Sequence, residues 1–234
     1  TIAINPDLIV TTLSVPPAAG AGSSISVTDT TKNQAAISAS ASTTARSAKA
    51  DELARTEGLT LVPPYDDLDV ILGQATCGLE ILDANPEIGT ILTPIGGGGL
   101  LAGTACAVSA LRPSVRLLGV EPTGAPKLSA ALAAGAPTPT AEARSIADGL
   151  LPLSVGRLTW RYIAPVVREA VSVTDEEIAT AMKLLFWECG LRVEPSGAVP
   201  VAALQFGKFR PASPTALVLT GGNVDPARFH ELVG

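Results

Sequence analysis

Residues 90–111 read TILTPIGGGGLLAGTACAVSAL, an apolar run, four consecutive glycines and a second apolar run. The first run has the length of a buried strand and the second that of a helix, so the stretch opens a strand, turn and helix unit over Thr90–Ile95, Gly96–Gly99 and Leu100–Leu111. Without Cβ atoms, such a turn can bring successive backbone N–H groups against an anion, and the positive end of the helix dipole adds to the attraction. Glycines also permit close helix packing, but four together carry an entropy cost that packing alone does not explain. The turn reads as a phosphate cradle. The same residues allow a different ligand: Gly97, Gly99 and Ala102 satisfy G-x-G-x-x-A after a strand, and Glu121 ends the next one, as a nicotinamide or flavin nucleotide site requires. Against that, Pro122 follows the acid directly, and Gly96 and Gly98 have no part in the fingerprint.

Working outward, short apolar runs bounded by Gly and Pro alternate with helical spacing from residue 48 onward. The pattern predicts helices over Ala48–Thr56, about Asp67–Leu82, about Ala125–Ala134, Asp175–Cys189 and Gly197–Phe206. Strands are expected over Arg116–Val120, Val166–Val173 and Ala216–Thr220. Thr174 and Glu177 form a T-x-x-E capping box, and Gly190 is a natural stop for the helix it opens. Strands joined through helices imply a mainly parallel α/β sheet with helices on both faces. A second glycine turn, Gly221 and Gly222 after Thr220, sits where ligands of open parallel sheets collect.

The composition excludes several classes. Of 234 residues, 47% are hydrophobic and 16% charged, which suits a packed core and not a disordered chain. The formal charge is −6 and no basic cluster stands out, so nucleic acid is not an expected partner. Gly, Pro, Ser and Thr interrupt every apolar run before the roughly 18 to 20 residues that span a bilayer, so no membrane association is expected. No secretory signal is visible, which points to a cytoplasmic location. Cys77, Cys106 and Cys189 are far apart, odd in number and without a CxxC, so they read as reduced core thiols. Trp160 and Trp187 read as packing residues, and the only histidine, His230, as a solvated helix position.

Residues 1–47 differ in character. Strand-like stretches at Asp7–Leu13 and Ser24–Thr28 flank Pro16 and Pro17, and an Ala/Ser/Thr-rich tract follows. This β-rich segment resembles the opening strands of a CARDB immunoglobulin-like module, through PDLIVTTLSVPPAAGAGSSISVTDTTKNQ. The chain is thus expected to divide near residue 47 into a short N-terminal β segment with its linker and a larger α/β part over 48–234.

That larger part carries PYDDLDVILGQATCGLEIL, PIGGGGLLAG, GVEPTGA, ADGL, VTDEEI, VEPSGAV and LTGGNVD in order. With these blocks it resembles the C-terminal part of the fold-type II pyridoxal-phosphate enzymes, most closely the threonine dehydratase and serine racemase group. The resemblance implies a partial large domain of that fold and pyridoxal 5′-phosphate as cofactor. It assigns the cofactor phosphate to the backbone of Gly96, Gly97, Gly98, Gly99 and Leu100, places Thr220 opposite the pyridine nitrogen, and puts Glu194 and Gly149 around the ring. A neutral hydroxyl at that nitrogen makes the ring a weaker electron sink, which suits elimination. The implied activity is a threonine or serine ammonia-lyase acting on a small-molecule amino acid.

The resemblance also implies a lysine that holds the cofactor as a Schiff base, and that lysine belongs to an S-x-K-x-R-G-A segment. Only Lys32, Lys49, Lys127, Lys183 and Lys208 exist here, none in that setting, and the S-x-G-N-H segment is absent too. No catalytic residue is therefore assigned. Cofactor binding is expected to be non-covalent at best, with little or no dehydratase activity from this polypeptide alone. Related enzymes bind a cation through an acid, a backbone carbonyl and a second acid. Glu121 and Ala125 match the first two positions, but Lys127 takes the third, so no metal is expected and the ammonium is expected to pair with Glu121. Apolar surface left by missing segments makes association, including a homo-oligomer, a further expectation. A nucleotide-binding oxidoreductase using Gly97, Gly99 and Glu121, and a non-catalytic adhesion-type module, are the alternative functions.

Overall fold

A computed structural model describes residues 43–234, in which the chain divides into two units at Pro64 and Tyr65. The described part of the first unit holds one helix, α1 (Thr43–Glu57), which contains the span expected from sequence, and a non-helical stretch to Pro64. The N-terminal β segment and its CARDB-like strands lie outside the described residues.

The second unit is built on four parallel strands: β1 (Thr90–Pro94), β2 (Arg116–Pro122), β3 (Ala170–Val173) and β4 (Thr215–Leu217), in the order β3-β2-β1-β4. The helices are α2 (Leu68–Ala84), α3 (Gly99–Leu111), α4 (Lys127–Ala134), α5 (Arg157–Ile163), α6 (Asp175–Trp187), α7 (Pro195–Gln205) and α8 (Pro226–Val233). Alternation along the strands sends neighbouring side chains to opposite faces. Ile91, Ile95 and Leu117 face a core shared with α2, α3, α4 and α5, while Leu92, Leu118, Val120, Val171 and Val173 face α6, α7 and α8. The α/β architecture with helices on both faces is therefore the one the sequence predicts.

On one face, α2 and α3 lie close enough that a Cβ at Gly103 would stand 2.6 Å from the Ile71 carbonyl oxygen and from the Ala75 amide nitrogen. On the other, α6 opens with the expected capping box. The Glu177 amide donates to Thr174 Oγ1 at 3.3 Å, and the Thr174 amide to Glu177 Oε2 at 2.9 Å.

Several boundaries differ from the sequence reading. Only Ala170–Val173 of the expected strand 166–173 is extended, because the amides of Val166 and Val167 turn back to the Ile163 carbonyl and close α5. Helix α5 itself was not expected. Trp187 is 66% exposed, edge-on to Phe186, with its Nε1 donating to the Val233 carbonyl, whereas Trp160 packs against the core as anticipated. Of the three thiols, Cys77 and Cys106 are half-buried and pack against the core, whereas Cys189 is exposed. Among the described residues no helix is long and apolar enough to cross a membrane.

Candidate cofactor site

Successive strands β1, β2 and β3 step outward in one direction, and β4 returns to the free side of β1. Strand order therefore reverses between β1 and β4, and ligands of open α/β sheets bind at the carboxyl ends of strands at such a point. Register pairs Leu92 with Leu217, so the tetraglycine turn after β1 and the Thr220–Asn223 turn after β4 leave the same edge of the sheet.

The tetraglycine turn feeds α3 through Gly98, whose φ of 101° lies in the left-handed region. Its position is fixed from outside. The Gly97 carbonyl accepts from the Gly156 amide at 3.0 Å and from Thr159 Oγ1 at 2.9 Å, both at the start of α5. That helix is in turn held by Asp66, whose carboxylate accepts from the amides of Arg157 (3.1 Å), Leu158 (2.8 Å) and Thr159 (3.1 Å). The neighbouring Asp67 caps α2 through the amides of Asp69 and Val70. The Tyr65 ring lies directly on Gly97, where any Cβ would collide with it. Burial, and then the charge of Asp66, push the Tyr65 phenol above its usual range.

Within this rigid frame, the amides of Gly96, Gly97, Gly98, Gly99 and Leu100 have no acceptor among the described residues. Gly97, Gly98 and Gly99 are buried, and Gly96 and Leu100 half-buried. Buried donors of this kind call for a partner. A row of them at the N-terminus of a 13-residue helix suits an anion such as the phosphate of pyridoxal phosphate.

The other expected residues gather beside the turn. A Cβ on Gly96 would stand 2.8 Å from the Gly149 carbonyl, and the Gly149 amide donates to Ser196 Oγ at 3.0 Å. Gly197, next in α7, leaves room only for the Thr220 carbonyl. Glu194, just before α7, packs its carboxylate on Gly221 and accepts from the Asn223 amide at 3.2 Å. Burial raises the Glu194 pKa, the Asn223 bond opposes that shift, and Asp148 adds to it. The structure thus brings Gly96–Leu100, Gly149, Glu194 and Thr220 to one edge. Sequence reasoning passed over Tyr65, Asp66, Gly156, Thr159 and Ser196. Tyr65, Asp66 and Ser196 stand inside the ordered blocks, but nothing in the spacing ties them to the glycine turn.

Two expectations change at Glu121. It is fully buried, and its carboxylate accepts from the Leu128 amide (2.7 Å), the Ser129 amide (2.9 Å) and Ser129 Oγ (2.6 Å). An acid committed to the start of α4 cannot take the ribose hydroxyl of a dinucleotide, which removes the support for that reading. Nor does Lys127 pair with it directly. Lys127 Nζ donates to the carbonyls of Ala125 (2.9 Å) and Leu150 (2.8 Å), and Glu121 acts on it only through space.

An open parallel α/β sheet with an anion-ready turn at its switch point defines a class of phosphate-binding proteins. Residues 19–221 match the family described as pyridoxal-phosphate dependent enzyme, and the chain belongs to that family. The match begins inside the segment compared above with CARDB, which finds no support. The chain is 39% identical to the serine racemase of Oryza sativa subsp. indica over 174 residues, 72% of this chain and 51% of the relative. It is 34% identical to the L-threonine dehydratase catabolic TdcB of Escherichia coli strain K12, over 80% of this chain and 58% of that protein. Among solved structures, a T.th. threonine deaminase aligns with a TM-score of 0.70 and 41% identity, covering 75% of this chain and 61% of that one. Maize serine racemase aligns with a TM-score of 0.75 and 36% identity, covering 82% and 60%. The chain spans about half the length of the curated relatives it matches.

Proposed function

We propose that residues 65–234 hold pyridoxal 5′-phosphate without a covalent bond, as the cofactor-phosphate half of a threonine or serine ammonia-lyase type of site. The carrying observation is the row of amides at Gly96–Leu100 that have no acceptor among the described residues, on the same sheet edge as Thr220. In this reading those amides and the α3 dipole take the phosphate, and Thr220 meets the ring nitrogen. Glu194 and the Gly149 turn line the ring. Bound there, the cofactor supplies an electron sink for carbanion chemistry on an amino acid. A hydroxyl such as that of Thr220 can accept or donate one hydrogen bond but cannot hold the nitrogen protonated, which favours elimination over fuller carbanion chemistry.

Covalent capture needs an amine at this edge. Within residues 65–234, Lys127 is tied to two carbonyls, Lys183 donates to the Gly234 carbonyl and Lys208 pairs with Glu177. We therefore infer weak, dialysable cofactor binding and little or no production of 2-oxo acid from threonine or serine by this polypeptide alone. The division expected near residue 47 falls within α1, and the cofactor proposal concerns the unit that begins at Tyr65.

The test is equilibrium binding of pyridoxal phosphate, with NADH as competitor, followed by a 2-oxo acid assay with threonine and serine. Saturable binding that inorganic phosphate displaces and NADH does not is the expected result. A visible absorption band that survives dialysis and disappears when one lysine is replaced would overturn the non-covalent reading.

A further inference from the structure

Lys127 is a fully buried lysine, and nothing in the proposed cofactor chemistry uses it. Taking an ammonium out of water is unfavourable unless its protons are accepted, so what accepts them identifies its purpose. One acceptor is the Ala125 carbonyl at the entry to α4. The other, 23 residues along the chain, is the Leu150 carbonyl at the end of the short 3-10 turn Asp148–Leu150. That turn is the wall of the tetraglycine cradle, since the Gly149 carbonyl lies against Gly96 and the Gly149 amide is held by Ser196. Among the described residues the Glu121 carboxylate acts on the ammonium through space, and it is itself occupied by α4. An apolar side chain of similar length would fill the same space but could not join two carbonyls from separate segments.

We propose that Lys127 is a positioning residue. Its ammonium serves as an internal cation that ties the Asp148–Leu150 turn to the entry of α4 and so sets the wall beside Gly96. The link from that wall to phosphate affinity rests on the cofactor reading above; the tie itself does not.

Amide hydrogen exchange on the full chain separates the two. The readout is exchange at Asp148, Gly149 and Leu150 relative to the β1 and β2 amides of the same sample. In Lys127→Met this ratio is expected to rise about tenfold or more, while Leu82→Ala, a core truncation in α2 that leaves both Lys127 hydrogen bonds in place, leaves it unchanged. In Lys127→Ala, ethylammonium is expected to restore the protection, and tetramethylammonium, which has no N–H, is not. An unchanged ratio in Lys127→Met, or equal responses to the two ions, would overturn the proposal. If Lys127→Met does not fold, recovery of folded Lys127→Ala by ethylammonium alone supports it, and recovery by both ions or neither sinks it. Inorganic phosphate titration then reports on the cofactor reading. Altered exchange in the variants with no saturable phosphate binding to the unaltered chain keeps the tie and removes the cradle.

Discussion

Replacing Gly98 by alanine puts a methyl group where the backbone and the core both resist it. With φ at 101°, an L residue at this position is held in a left-handed conformation that costs about 1–2 kcal/mol. The new Cβ would stand 2.9 Å from Ile163 Cδ1 and 3.1 Å from both Thr159 Oγ1 and Val155 Cγ1, closer than ordinary contact. Overpacking of that kind adds about 1–3 kcal/mol, so Gly98→Ala should lose roughly 2–5 kcal/mol in all. The same substitution at Gly73, exposed within α2 with nothing within 4 Å of its Cβ, should instead gain about 0.5–1 kcal/mol. Urea unfolding followed by circular dichroism reads both, and a phosphate titration of each variant reads the turn, with affinity lost in Gly98→Ala and kept in Gly73→Ala. A loss at Gly98 below about 1 kcal/mol, or effects of the same sign at the two glycines, would refute the reasoning, because the strain term alone should exceed it.

Asp66→Ala removes the acceptor of three α5 amides and should lower stability by about 1–2 kcal/mol, while loosening the Gly97 anchor enough to weaken phosphate binding; an unchanged urea midpoint would count against it. Burial lowers the Lys127 pKa from 10.5 to about 8, so the folded state releases this proton before the unfolded one. Stability measured against Lys127→Met should therefore be lowest below pH 8, rise between pH 8 and 10.5, and level off above, a gain of about 3 kcal/mol; a flat difference removes the prediction. Glu194 shifts the other way, its folded pKa raised by burial above 4.5. The unaltered chain should lose stability relative to Glu194→Gln as pH climbs from 4.5 through the raised value, and parallel pH profiles for the two proteins would contradict this.

What the sequence revealed is what depends on neighbours along the chain. The strand, glycine turn and helix of residues 90–111 and the Thr174–Glu177 box are local patterns, and each lies where its spacing placed it. Helix α5 was invisible because its cap comes from Asp66, more than ninety residues earlier, and its own start, Gly156, has no side chain to signal it. Glu121 shows the converse. Its type and distance fit a ribose contact, but whether a carboxylate is free depends on what the following helix presents, and here Leu128 and Ser129 consume it. Lys127 misled for the same reason: an ammonium beside an acid suggests a pair, yet two carbonyls outcompeted it, one of them from a turn no periodicity connects to α4.

The site separates into parts of different chemical dependence. Phosphate binding of the kind proposed uses peptide N–H groups and a helix end, so it requires only that Gly96–Leu100 keep their backbone course, which Thr159, Gly156 and Asp66 enforce from within residues 65–234. Bond making at the cofactor requires an amine placed within reach of its carbonyl. The lysines of those residues make their contacts with other groups, Lys127 with the Ala125 and Leu150 carbonyls, Lys183 with the Gly234 carbonyl and Lys208 with Glu177. Affinity for a phosphorylated pyridine and turnover of an amino acid should therefore respond to different substitutions. Changes at Gly98 or Asp66 should alter the first, whereas raising the second requires a lysine contributed from elsewhere, in the same chain or in a partner.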